Sequence, residues 1–119
     1  MSHSGLRNIS AVVSTSPVTI VPPGGANVPV PFNVSIVVRG VVAATDVNSG
    51  TVASTVNLAS MSSGTIVGVI DSLTVVPGAP TVRDYVNGAV LRVPSGHQLG
   101  AVSEVGTVIV SVSYTYDYR

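Results

Sequence analysis

The sequence contains no cysteine, no lysine and no tryptophan, and it has few charged residues of any kind. Without cysteine the chain can form no disulfide, hold no zinc through thiolates and use no thiolate nucleophile. Charged residues make up 8% of the 119 residues, whereas about 25% is usual for a soluble domain. A lone monomer with so little charge is expected to be poorly soluble, so we expect other protein to cover much of its surface.

The small number of charges also excludes some partners. Five arginines are scattered along the chain and balance five acidic residues, so there is no basic stripe for a phosphate backbone, and we expect no nucleic-acid binding. Arg39 interrupts the longest apolar run well before the roughly 18 residues of a transmembrane helix, so we expect no membrane association. Residues 1–7 lack the basic and apolar regions of a signal peptide, and synthesis in the cytoplasm is expected.

Strand signals dominate the sequence, in which valine is the commonest residue. The clearest segment ends the chain, where Val108, Val110 and Val112 alternate with polar residues and three tyrosines continue the alternation. This period of two predicts a long strand with one buried face, paired on both sides. About eight strands are predicted, at 9–15, 18–21, 32–39, 41–46, 51–58, 65–76, 81–86 with 89–93, and 105–118.

Turn residues between the strands indicate the fold class. Asn87-Gly88 lies between two short apolar runs and predicts a type I′ hairpin turn, because both residues tolerate positive φ. Short strands with frequent turns favour an all-β fold, a jelly-roll-like β-sandwich of about eight strands. We expect this single domain to span residues 10–119, with an N-terminal arm over residues 1–9.

Candidate contact residues lie at the two ends of the sequence. The arm is expected to reach onto a neighbouring subunit through its apolar residues, or else to be a frayed end. The tyrosines form one ladder on the last strand, which is expected to cap the core, to contact another subunit or to stack on sugar rings. The predicted interface residues are Leu6, Arg7 and Ile9 in the arm and Tyr114, Tyr116 and Tyr118 in the ladder.

The sequence offers no pattern for catalysis or metal binding. His3 and His97 have no second ligand at metal-binding spacing, and 46–50 lacks the closing glutamate of a calcium loop. Residues 68–72 are similar to one motif of the trimeric dUTPases, but 73–75 replace the Tyr-Arg-Gly of that family, and its Arg-Ser-Ser phosphate motif is missing. We therefore predict no catalytic, metal or cofactor site and no enzymatic activity; a nucleotide turnover assay would test the alternative.

The chain resembles the small bacteriophage capsid decoration or cement proteins in its size, its start at residues 1–5, its lack of cysteine and lysine, and its Val/Ser/Thr/Gly strands such as 106–113. The resemblance implies a homo-oligomer, most often a trimer, on the capsid surface of a virion. Its partner would be the major capsid protein or another structural protein, and its work would be to stabilise the shell. The alternative is a receptor- or glycan-binding module of a tail fibre or adhesin, using the tyrosines with His97 and Gln98.

Overall fold

The structure is a computed structural model that describes residues 2–3, 5–45, 53–85 and 91–118. Within these ranges the chain is all-β, as predicted, with ten strands and no helix. The strands are β1 (Ser2–His3), β2 (Arg7–Val13), β3 (Val18–Val21), β4 (Val34–Thr45), β5 (Ser54–Ser62), β6 (Thr65–Val75), β7 (Thr81–Asp84), β8 (Leu91–Arg92), β9 (Gln98–Ser103) and β10 (Val108–Tyr118).

The strands form two antiparallel sheets that pack together as a β-sandwich. Sheet 1 has the strand order β2-β10-β4-β7. The short strand β1 pairs with β10 on the same edge as β2, and the short strand β8 pairs with β4 on the same edge as β7. Sheet 2 has the order β3-β9-β5-β6. When each continued line is counted as one strand, the sandwich consists of two sheets of four strands.

The pairing of these strands is nested. β2 pairs with the last strand, β10; β3 pairs with β9; β4 pairs with β7 and β8; and β5 pairs with β6. An antiparallel ribbon wrapped in this manner makes an eight-stranded jelly roll. At its tip, Ser63 and Gly64 join β5 to β6 with φ angles of 51° and 81°, which suit a type I′ turn. The predicted jelly-roll-like sandwich is confirmed.

The core lies between the sheets, and β10 supplies its most regular part. Val108, Val110 and Val112 are buried on one face of β10, and Tyr114 follows them on the same face. β10 pairs with β2 on one side and with β4 on the other. Both the predicted burial of this valine face and the predicted double pairing are confirmed.

Three strand predictions differ from the structure. Two strands are predicted at 32–39 and 41–46, but residues 34–45 form the single strand β4. Arg39 is an extra residue in β4, where its pairing with β10 shifts register. β9 is missing from the predicted strands, although it lies in the middle of sheet 2. The predicted start of the last strand at 105 is early, because β10 begins at Val108.

The predicted hairpin of 81–86 with 89–93 is wrong. β7 and β8 pair with β4 rather than with each other, and both run antiparallel to it, so they follow one another along the same edge. Asn87-Gly88 itself and the predicted turn at 46–50 lie outside the described residues.

The N-terminal residues join sheet 1. Ser2 and His3 pair with Tyr118 and Asp117 of β10, and β2 begins at Arg7. The predicted arm over residues 1–9 therefore overlaps β1 and the first part of β2, while the boundary between arm and domain stays a prediction.

Candidate functional site

Exposed branched side chains lie next to one another on the outer face of sheet 1. The register of the strands places Val12 beside Ile109 and Val42 beside Val82. The exposed fraction is 61% for Val12, 40% for Ile109, 42% for Val42 and 62% for Val82. Ser10 and Ser111 lie in the row with Val42, and their hydroxyls are 2.7 Å apart. The valine face, as we call it, consists of Ser10, Val12, Val42, Val82, Ile109 and Ser111.

The valine face exists because its strands are apolar on both sides. Val41 and Ala43 point into the core from β4, so Val42 between them points outward. The next row along the sheet is polar: the Ser113 hydroxyl donates to Asn8 Oδ1 at 2.6 Å, and Asp84 lies at the rim opposite Gly40. A contiguous apolar patch on a soluble protein commonly marks a contact with another protein.

The predicted tyrosine ladder continues the core face of β10. Tyr114 is 2% exposed and belongs to the core, while Tyr116 and Tyr118 are half-buried. The rings of Tyr114 and Tyr116 meet edge to face, with centroids 5.4 Å apart and planes at 78°. Tyr114 is therefore part of the core, Tyr116 and Tyr118 lie nearer the end of the sandwich, and the interface role predicted for all three stays a prediction.

The structure brings Arg7 of the predicted arm to this ladder. Arg7 pairs with Tyr114 in the sheet, and its guanidinium carbon lies 5.5 Å from the centroid of the Tyr116 ring, a distance typical of a cation–π contact. Burial, together with the neighbouring Tyr114, raises the pKa of Tyr116 to about 12, so its phenol stays protonated at neutral pH. Ile9 packs partly against the core, whereas Leu6 is 64% exposed.

Two hollows flank the proline-rich segment between β3 and β4. A groove of about 280 Å³ lies between Tyr116, Tyr118 and residues 28–31 of this segment. A second hollow of about 620 Å³ lies on its other side and includes Phe32, which is 91% exposed, and Gln98. The Gln98 amide nitrogen donates to the carbonyl oxygens of Ala26 and Val28 at 3.1 and 2.6 Å, and this holds the segment against β9.

A charged cluster joins the two sheets along the edge formed by β6 and β7. The Asp71 carboxylate accepts hydrogen bonds from the Tyr85 hydroxyl, from the Arg83 guanidinium at 3.1 and 3.2 Å, and from the backbone N–H of Ser72 at 2.8 Å. Burial by itself would raise the pKa of Asp71, but these hydrogen bonds and the Arg83 charge lower it overall. Burial and the Asp71 carboxylate raise the pKa of Tyr85.

This cluster connects the two sheets of the sandwich. Asp71 belongs to the segment that resembles a dUTPase motif, yet its carboxylate is held ionised by three donors of the same chain. Among the described residues, no group of three or more histidine and acidic side chains is placed to hold a metal ion. The part of the chain that the structure describes also has no helix long and apolar enough to cross a membrane.

Sequence reasoning found the tyrosine ladder but missed the valine face. The ladder follows one strand, whereas the valine face combines β2, β10, β4 and β7, and only the register of these strands makes its members neighbours. The sequence does contain a signal for the valine face. Apolar residues stand at outward-facing positions of strands that otherwise alternate between apolar and polar residues. Comparison with protein-family models, with curated proteins and with solved structures found no match to this chain.

Proposed function

We propose that this protein is a non-enzymatic structural protein that forms homo-oligomers and decorates the outside of a viral shell, which it stabilises. The observation that carries the proposal is the valine face: four exposed branched side chains next to each other, in a chain of which 8% of residues are charged. Such a surface favours permanent contact with protein, because its exposure to water costs free energy roughly in proportion to its apolar area.

The fold is compatible with this role by analogy. Eight-stranded jelly rolls occur in viral capsid and lectin domains, and an architecture alone does not determine an activity. The contribution of the fold is a sheet whose paired strands present the valine face with little loss of backbone conformational entropy on binding.

Such a protein would stabilise the shell because its binding is thermodynamically linked to shell assembly. If it binds an assembled shell but not the free shell subunits, its binding free energy adds to the stability of the shell by mass action. Contacts made by Val42 and Val82 would be apolar, so the attachment would depend little on salt. The trimeric state implied by the resemblance stays a prediction.

The proposal is tested on shells from the same source that lack this chain. They are titrated with purified protein, sedimented, and melted with and without it. We expect saturable binding and a higher melting temperature of the shell. Val82→Asp should weaken the binding, and Val67→Asp is its matched control, because Val67 is a similarly exposed valine on sheet 2. If the wild-type protein neither sediments with the shells nor changes their melting, the proposal is wrong.

A second function, glycan binding, is favoured by the hollow beside Phe32. An aromatic ring that is 91% exposed at the wall of a hollow can stack on a sugar ring. A glycan array separates the two functions. Binding that is lost in Phe32→Ala and kept in Val82→Asp would support the module, and an array without signal would reject it.

A further inference from the structure

The sandwich has four edge lines, and three of them carry features that prevent pairing with another strand. β3 is four residues long and lies between Pro17 and Pro22. The β7–β8 line consists of strands of four and two residues and carries Arg83, Asp84 and Arg92. Short strands, flanking prolines and charges are the devices by which proteins protect sheet edges.

The edge strand of sheet 2, β6, is protected in a different way. Its pairing with β5 shifts register twice, which bends and twists the strand. Asp71 ties it to β7 through Arg83 and Tyr85. A bent strand that carries a bound carboxylate is a poor template for further pairing.

The remaining edge strand, β2, lacks all of these features. Its seven residues, Arg7–Val13, pair with β10 without a register shift. The strand contains no proline and no acidic residue, and its one charge, Arg7, is at its first position and lies over the Tyr116 ring. In the described part of the chain β10 is the strand that pairs with β2, so the other edge of β2 faces outward.

We propose that β2 pairs antiparallel with β2 of a second copy, about a two-fold axis at Ser10, so that the two sheets 1 become one continuous sheet. The inference rests on the proposed role as a self-assembling structural protein. With the axis at Ser10 all seven residues of both strands are paired, and backbone groups at the edge gain partners across the axis.

Close to the axis the side chains of β2 match their own copy in this register, while toward the ends Asn8 faces Val12 and Arg7 faces Val13. Ile9 of one copy faces Ala11 of the other on the core side, and both are partly buried and packed against the core, so pairing completes their burial. The two Ser10 side chains, which are small hydroxyls, meet at the axis on the outer face of the sheet. Arg7 lies at opposite ends of the pair, and a chain with formal net charge zero does not repel its copy.

A second copy is the occupant that these observations favour. A partner strand must present apolar side chains on alternate positions toward the core, and β2 itself does so at Ile9, Ala11 and Val13. The pairing also places the valine faces of the two copies on the same side of one continuous sheet, on either side of the two Ser10 residues. Two-fold pairing of this kind predicts an even number of copies, in contrast to the single trimer that the resemblance implies.

The test uses the absence of cysteine in the native sequence. Ser10→Cys places single thiols at the axis, within the limit of about 7 Å between Cα atoms that a disulfide allows. Ser111→Cys is the matched control, because Ser111 is the hydrogen-bonded neighbour of Ser10 on β10. The spacing of strands puts its two copies about 14 Å apart, too far for a disulfide. Both variants are oxidised mildly and analysed on non-reducing gels.

We expect a disulfide-linked dimer from Ser10→Cys and no such dimer from Ser111→Cys. Equal cross-linking of both variants would overturn the inference, because it would indicate contact through the sheet faces. Absence of cross-linking in a protein that light scattering shows to be oligomeric would overturn the β2 pairing and leave the proposed function standing. Absence of cross-linking in a monomeric protein would overturn both.

A second pair of variants tests the same edge without cross-linking. Ser10→Lys brings two ammonium groups together at the axis, and like charges opposite each other destabilise strand pairs. Ser111→Lys breaks the same hydroxyl contact but lies one strand away. We expect at least about a tenfold weaker association for Ser10→Lys than for Ser111→Lys by sedimentation, with partial recovery at high salt. Equal weakening in both variants would contradict the pairing.

Discussion

At the scale of single residues, Gly100 in β9 leaves no room for a side chain. A Cβ atom there would overlap Met61 Sδ and would lie 2.5 Å from the carbonyl oxygen of Val18. Met61 is fully buried across this glycine, and Val18 belongs to the neighbouring strand β3. A flexible methionine can move, but the backbone oxygen of a paired strand cannot move without disturbing sheet 2.

We therefore expect Gly100→Ala to lower the free energy of unfolding by more than about 2 kcal/mol. Gly68→Ala in β6 is the control, because its Cβ would meet Ser60 Oγ at 3.8 Å, an ordinary contact. Urea unfolding of both variants measures the difference. Equal midpoints for Gly100→Ala and Gly68→Ala would show that Met61 and β3 yield easily, contrary to the packing described.

The Asp71 cluster makes stability depend on pH at the acid end. The pKa of Asp71 is lowered in the folded protein, so its carboxylate contributes stability that is complete above its unfolded pKa and is lost as pH falls through its folded pKa. We expect the free energy of unfolding to fall between about pH 5 and pH 2, with a shallower fall in Asp71→Asn. Denaturation of both proteins at several pH values measures this pH dependence. Asp84→Asn removes the same charge from an exposed position; an equal effect in both variants would contradict the role of the cluster.

At the scale of elements, β10 holds the sandwich together because it is paired on both sides and buries one face. Val110 is fully buried on that face, while Ile109 next to it is 40% exposed on the valine face. Val110→Ala should cost about 1–3 kcal/mol, from the lost transfer free energy and the cavity left behind.

Ile109→Ala on the same strand should change monomer stability by less than about 0.5 kcal/mol and should weaken binding to the shell instead. Thermal melting of the protein and sedimentation with shells measure both variants. If Val110→Ala melts at the wild-type temperature, the core assignment of β10 is contradicted. If Ile109→Ala changes the melting of the monomer as much as Val110→Ala does, then Ile109 is part of the packing.

The elements also show what the sequence could and could not predict. β10 was predictable because one buried and one open face give strict alternation. β9 was not predictable from the sequence. Five of its six residues are buried, and they include Gly100, so apolar and polar residues do not alternate along it. The segment around Asn87-Gly88 has a strong local turn signal, yet β7 and β8 line up along β4, a long-range pairing that no local pattern reveals.

The candidate surface was beyond the sequence for the same reason. Val12, Val42, Val82 and Ile109 are separated by up to 97 positions in the chain, and they become neighbours only through the register of four strands. The sequence did indicate that a covered surface should exist, because its charge is too sparse for a lone soluble domain. It could not indicate where on the sandwich that surface lies.

At the scale of the whole molecule, sparse charge, the valine face and the unprotected edge of β2 all favour association. The formal net charge is zero, so there is no long-range repulsion to keep copies apart. Three of the four edge lines are protected and one is not, which limits the directions in which copies can add. A closed oligomer rather than an open aggregate is the expected result.

The solution mass of the purified protein tests this account most directly. The chain has a mass of 12.0 kDa, and light scattering after size exclusion measures the number of copies without assumptions about shape. The account predicts a single species at micromolar concentration with at least twice the monomer mass, in an even number of copies if β2 pairs as proposed. A monodisperse species of 12.0 kDa at the highest attainable concentration would contradict the central claim that this chain is a building block of an assembly.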